Sequence, residues 1–138
     1  MAEISAPATL VELLKSRAMT TPQATAYTYL EDGADEERHL TYAELERSAR
    51  QIAGLLSANG LKGARTLLLF PPGLDYISAF LGCLFAQVIA VPVYPPLSER
   101  DQRRLAALWR TPGRRTRRID LVNRTAMHRP APGTGTGR

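Results

Sequence analysis

"FPPGLDYISAFLGCLFAQVIAVPVYPP", Phe70 to Pro96, is bracketed by two proline pairs and carries no charge between Asp75 and Glu99. A membrane span needs about 20 mainly apolar residues. Tyr76–Val91 supplies 16, interrupted by Ser78, Gly82 and Gln87 and cut by Pro92. No basic cluster flanks it directly, so a span is not expected. Leu74–Gln87 is apolar on nearly every face, which predicts a buried helix. Asp75 falls in its first turn, where a negative charge suits the helix dipole. "VIAV", 88–91, is short and β-branched, and predicts a strand ended by Pro92. Upstream, "RTLLLF", 65–70, reads as a strand buried on both faces and broken by Pro71, Pro72 and Gly73. Together these elements predict a βαβ unit with two parallel strands.

Working outward, Thr41 and Glu44 form a capping box ahead of a helix. Tyr42, Leu45, Ala49, Ile52 and Leu56 make its apolar stripe. Glu46 and Arg50 lie one turn apart on its wet side, and Gly60 is a natural residue just past its end. Further back, Thr9 and Glu12 open another helix, with Leu10, Leu13, Leu14 and Ala18 at helical spacing and Pro22 as the stop. "ATAYTYL", 24–30, has strand alternation. The polar turn "EDGADEE" around Gly33 then allows "RHLTY" to pair back. Downstream, "SERDQRRLAALW", 98–109, predicts a helix capped by Ser98 and Asp101.

The formal charge of +5 is unevenly placed. Residues 1–109 hold 10 Lys/Arg and 12 Asp/Glu, net −2; residues 110–138 hold 8 Arg and 1 Asp, net +7. The last segment is rich in Arg, Pro, Gly and Thr without apolar periodicity, and is read as disordered. The expected organisation is thus an α/β unit over residues 7–109 and a basic tail over 110–138. Cys83 is the only cysteine, which excludes an intrachain disulfide and a cysteine metal cluster and suits a reducing, cytoplasmic environment. The start, "MAEISAPATLVELLKS", lacks the basic and apolar regions of a signal peptide.

"LTYAELERSARQIAGLLSANGLKGARTLLLFPPGLDYISAFLGCLFAQVIAVPVYPP" resembles the N-terminal part of adenylate-forming enzymes, the superfamily of AMP-binding and acyl-CoA-synthetase-like proteins. "LTYAEL" is shared widely among them. "PPGLDYISAFLGCLFAQVIAVPVYPP", with its "VPxYPP" turn, looks most like the fatty acyl-AMP ligases. The resemblance covers residues 7–109 and implies the start of that family's large α/β domain. It also implies ATP-dependent adenylation of a fatty acid, with magnesium, and transfer of the acyl group to a carrier-protein thiol. The family's phosphate loop, adenine motif, ribose-binding Asp and catalytic Lys have no counterpart here. The expectation is a truncated or frameshifted N-terminal fragment, changed after about residue 109. It should be inactive alone and, with only two strands paired, prone to aggregate.

No residue is assigned a catalytic, cofactor-binding or metal role, and no cofactor is expected for the segment itself. "GTGTGR", 133–138, has residue types suited to a phosphate cradle but no Lys, strand or following helix. The tail arginines would give non-specific phosphate affinity at low salt, but lack interleaved aromatics, so a nucleic-acid role is not favoured. Cys83 sits in an apolar helix and reads as an inert packed thiol. His39 reads as a hairpin surface residue and His128 lies in the tail. Asp75 and Glu99 fit helix-start electrostatics. Pro71–Pro72–Gly73 and Tyr94–Pro95–Pro96 follow two parallel strands and would border a ligand at that sheet edge. Two other readings stand beside the ligase segment: a small module binding a ligase or carrier protein, and a nucleic-acid binder acting through the tail.

Overall fold

A computed structural model describes residues 7–31, 36–109 and 120–122. Helix α1 (Leu10–Thr20) begins where the Thr9 hydroxyl accepts from the Glu12 backbone N–H. Strands β1 (Thr25–Glu31) and β2 (Glu36–Thr41) form an antiparallel hairpin. Tyr42 opens helix α2 (Tyr42–Ala58) rather than extending the strand, because both bonds of the Thr41–Glu44 capping box form. The N–H groups of Tyr42 and Ala43 donate to the Ala24 and Pro22 carbonyls, which ties the start of α2 to the hairpin. The turn expected at Gly33 lies outside the described residues.

Helix α2 ends as its sequence predicts. Gly60 takes φ +68°, and the Leu61 N–H donates to the Leu56 carbonyl. Leu56 and Leu61 are both buried in one apolar cluster, the side-chain contact that accompanies this cap. Strand β3 (Arg65–Leu69), helix α3 (Leu74–Phe85) and strand β4 (Ile89–Val93) form the βαβ unit, with β3 and β4 parallel.

Helix α3 stops two residues before its expected end, and the reason is a left-handed turn. Gln87 has φ +57°, and the Val88 N–H donates back to the Cys83 carbonyl. The Gln87 carbonyl accepts from the Gly63 N–H, which holds the turn against the loop that feeds β3.

Strand β4 continues through Pro92, where the sequence predicts a stop. Pro92 stands opposite Leu68 in the register. The Ile89 N–H donates to the Ala64 carbonyl on the β3 side. Alternation along the strand then turns position 92 away from β3, toward the edge of the described sheet. The missing N–H of proline therefore costs no ladder bond.

Three residues of the tail are described. Asp120–Val122, inside the segment read as disordered, form strand β5, parallel to β3. The sheet has three strands in the order β4-β3-β5, not two. The remainder of 110–138, including His128 and "GTGTGR", lies outside the described residues. Helix α4 (Glu99–Trp109) precedes that segment.

Helix α3 is the centre of the packing. Ala79, Cys83 and Ala86 join Ile52, Leu56, Leu68 and Phe70 in the core against the sheet. Leu81 joins Leu14, Leu45 and Ala49 in a second core that reaches α1, with Ala26 and Leu40 of the hairpin packed on it. A helix with apolar groups on two faces can serve two cores, which explains its near-continuous hydrophobicity.

Candidate functional site

The loops that follow β3 and β4 are separate in sequence, and parallel pairing brings them to the same sheet edge. A cleft of about 290 Å³ opens there, lined by Phe70, Pro72, Tyr76, Pro92, Val93 and Tyr94. Pro72 comes from the first proline loop and Tyr94 from the second, so the two stretches that the sequence places at a ligand edge do meet. Open α/β sheets bind ligands at this carboxyl end.

Phe70, Pro92, Val93 and Tyr76 line the cleft from outside the two loops that the sequence places there, and of these four Tyr76 comes from a helix. It lies in the first turn of α3, and its ring packs on Phe80 at 6.2 Å between centroids. The available signal was positional: a helix that starts directly after a strand's C-terminal loop presents its first turn to the same edge. Tyr76 also lines a second groove of about 330 Å³, which extends past Ile77 and Phe80 to Leu10, Leu13 and Tyr27. Tyr94 is 74% exposed and separates the cleft from a third groove, about 260 Å³, walled by Leu97, Asp101, Arg104 and Leu105.

The cleft's side chains are apolar or aromatic, with the phenols of Tyr76 and Tyr94 as its polar groups. Among the described residues, no carboxylate, imidazole, thiol or cation lines it. It can seat an apolar or flat aromatic group.

The other candidates stand elsewhere. Cys83 is fully buried between the sheet and α2, and burial pushes its thiol up to about 11. A thiol in that state is not a nucleophile. His39 lies on β2, its Nδ1 3.0 Å from the Thr28 hydroxyl and its Nε2 3.3 Å from Glu37, exposed and remote from the cleft's lining. Asp75 is in the first turn of α3, as expected. Glu99 stands one turn from Arg103 on exposed α4, their charged atoms 3.7 Å apart. Ser98 caps α4, its hydroxyl accepting from the Asp101 N–H. Among the described residues, no group of three or more His, Cys, Asp or Glu is placed to hold a metal ion. No described helix is long and apolar enough to cross a membrane.

Comparison with known proteins fits this geometry. The family model described as AMP-binding enzyme matches residues 14–108. The medium-chain-fatty-acid acyl-carrier-protein ligase JamA of Moorena producens is 41% identical over 100 residues, covering 72% of this chain and 17% of that protein. The fatty acid AMP ligase structure from Legionella pneumophila superimposes with a TM-score of 0.66 at 42% identity, over 71% of this chain and 17% of that one. A second structure, the fatty acyl-adenylate ligase of L. pneumophila in complex with acyl adenylate and pyrophosphate, gives a TM-score of 0.61 at 44% identity, over 70% of this chain and 18% of that one. The chain therefore spans less than one fifth of the length of these relatives. Its order of helix, hairpin, helix and βαβ unit is that of the N-terminal part of adenylate-forming enzymes. With the match running from α1 through α4, the chain belongs to the AMP-binding enzyme family.

Proposed function

We propose that residues 7–109 are the opening segment of a fatty acyl-AMP ligase. In this reading the complete enzyme uses ATP to convert a fatty acid into an acyl-adenylate, then passes the acyl group to a carrier protein. The observation that carries the reading is the cleft at the carboxyl ends of β3 and β4, built from the "FPPG" and "PVYPP" loops. Those loops belong to a segment 44% identical to a ligase whose structure holds acyl adenylate and pyrophosphate. The carrier-protein step is supported by the name of the ligase JamA. A cytosolic location belongs to the same proposal, since the reaction consumes ATP.

The segment's part in such an enzyme is positioning. Among the described residues the cleft's lining carries no cation to meet a triphosphate, and its aromatic walls fit an apolar portion of substrate. Magnesium, which the resemblance implies for the complete enzyme, is given no ligand in this segment, where no group of three or more His, Cys, Asp or Glu among the described residues is placed to hold a metal ion. Residues 7–109 alone should therefore be inactive.

A chimera tests this. The matching segment of the L. pneumophila ligase is replaced by residues 7–109, and acyl-adenylate and pyrophosphate are measured with a fatty acid and ATP. The chimera should form both products, while the chain by itself forms neither. A folded chimera without acyl-adenylate formation would sink the reading.

A further inference from the structure

We infer that Asp120–Val122 act as a self-supplied cap on the second edge of β3, closing the sheet against pairing with another copy of the chain. The backbone argument is specific. The Ile89 N–H donates to the Ala64 carbonyl, and Arg65 stands opposite Ile89. In a parallel ladder this directs the peptide groups of Thr66 and Leu68 toward β4, and those of Leu67 toward the other side. On that other side lies β5, with Leu67 opposite Leu121. The Leu67 N–H thus faces the Asp120 carbonyl, and the Val122 N–H faces the Leu67 carbonyl.

Side-chain burial agrees. Thr66, Leu67 and Leu68 are all buried, although alternation puts Leu67 on the opposite face from the other two. Leu67 itself is only 3% exposed. An uncovered β3 edge would present free N–H and C=O groups beside apolar side chains, a template for strand pairing between molecules. With the cap in place, the edge on that side is a strand of three residues, which offers a second copy far less to pair with than an open β3. This inference does not depend on adenylation activity.

The test is amide hydrogen exchange read at Thr66, Leu67 and Leu68, with light scattering on the same samples. Three chains are compared: residues 1–138, residues 1–109, and the whole chain with Val122→Pro, which deletes one ladder donor. In the whole chain all three amides should be protected and the protein monomeric. In the other two, Leu67 should exchange on the order of 100-fold faster, as expected when local opening costs little. Thr66 and Leu68 should keep their β4-side protection, and the mass should rise with concentration. If residues 1–109 do not fold, the Val122→Pro chain supplies the comparison. An unprotected Leu67 amide in the whole chain would overturn the inference. So would unchanged Leu67 protection in the variants.

Discussion

Gly82 on α3 and Ile52 on α2 pack so closely that a Cβ on Gly82 would lie 2.6 Å from the Ile52 Cγ2 and 2.7 Å from its Cβ. The Ala49 carbonyl oxygen would be 3.2 Å away. The two helices touch backbone to side chain here, between the sheet-side core and the α1-side core. Gly82→Ala should therefore push the helices apart and destabilise the fold by about 1–3 kcal/mol, the range for overpacking. Urea denaturation checks the value. Adding Ile52→Ala should give a loss smaller than the sum of the two single losses, since it removes the colliding methyl.

Thr66 is fully buried on the central strand, and its hydroxyl has no hydrogen-bond partner. Burying an unmatched polar group costs free energy that an apolar group of the same shape does not. Thr66→Val should raise stability by about 1 kcal/mol. A drop on urea titration would show that the hydroxyl has a function in the folded chain.

Cys83 should be silent toward thiol reagents in the native state and react at the rate of unfolding, followed by a chromogenic disulfide. Its pKa is raised by burial from 9.0 to about 11. The folded state therefore holds the proton at pH values where the unfolded state has lost it. The contribution is fully present below pH 9 and is lost as pH climbs toward 11. Replacing Cys83 with Ala should flatten that alkaline slope in a series of melting curves.

At the start of α2, the Thr41 hydroxyl accepts from the Glu44 N–H, and the Glu44 carboxylate accepts from the Thr41 N–H. Thr41→Ala should cost about 1 kcal/mol, the usual worth of such a cap. The bonds from Thr41, its backbone N–H first, hold the Glu44 carboxyl below the usual carboxylate value. Stability from that carboxylate is present above its unfolded pKa and is lost as pH falls through the folded one. The Ala variant should thus lose less on acidification than the parent, measured by thermal melts at stepped pH.

Two left-handed turns give opposite expectations. Gly60 at φ +68° closes α2, whereas Gln87 at φ +57° closes α3 with a side chain that pays for this conformation. Gly60→Ala should destabilise by about 1 kcal/mol and Gln87→Gly should stabilise by a similar or smaller amount. Opposite-signed shifts in melting temperature would support the same cause at both sites.

The elements were legible in the sequence wherever their cause is local. Caps at Thr9, Thr41 and Ser98 act within three residues, and the apolar stripe of α2 repeats within one turn. These determine each helix whatever it later packs against. The βαβ unit was legible too, because a buried helix between two short apolar strands admits few arrangements. Tertiary structure decided the rest. Proline at 92 is allowed in β4 because the position faces away from β3, a fact about neighbours rather than about residue 92. Strand β5 pairs along the second edge of β3 from within a segment that the sequence reads as disordered. The cleft required Pro72 and Tyr94 to meet across paired strands, and Tyr76 to face them. The gap between Ile52 and Gly82 depends on how α2 and α3 cross. Periodicity and capping are short-range and can be read along the chain; edges, crossings and clefts are made by residues far apart in sequence, and only the folded backbone brings them together.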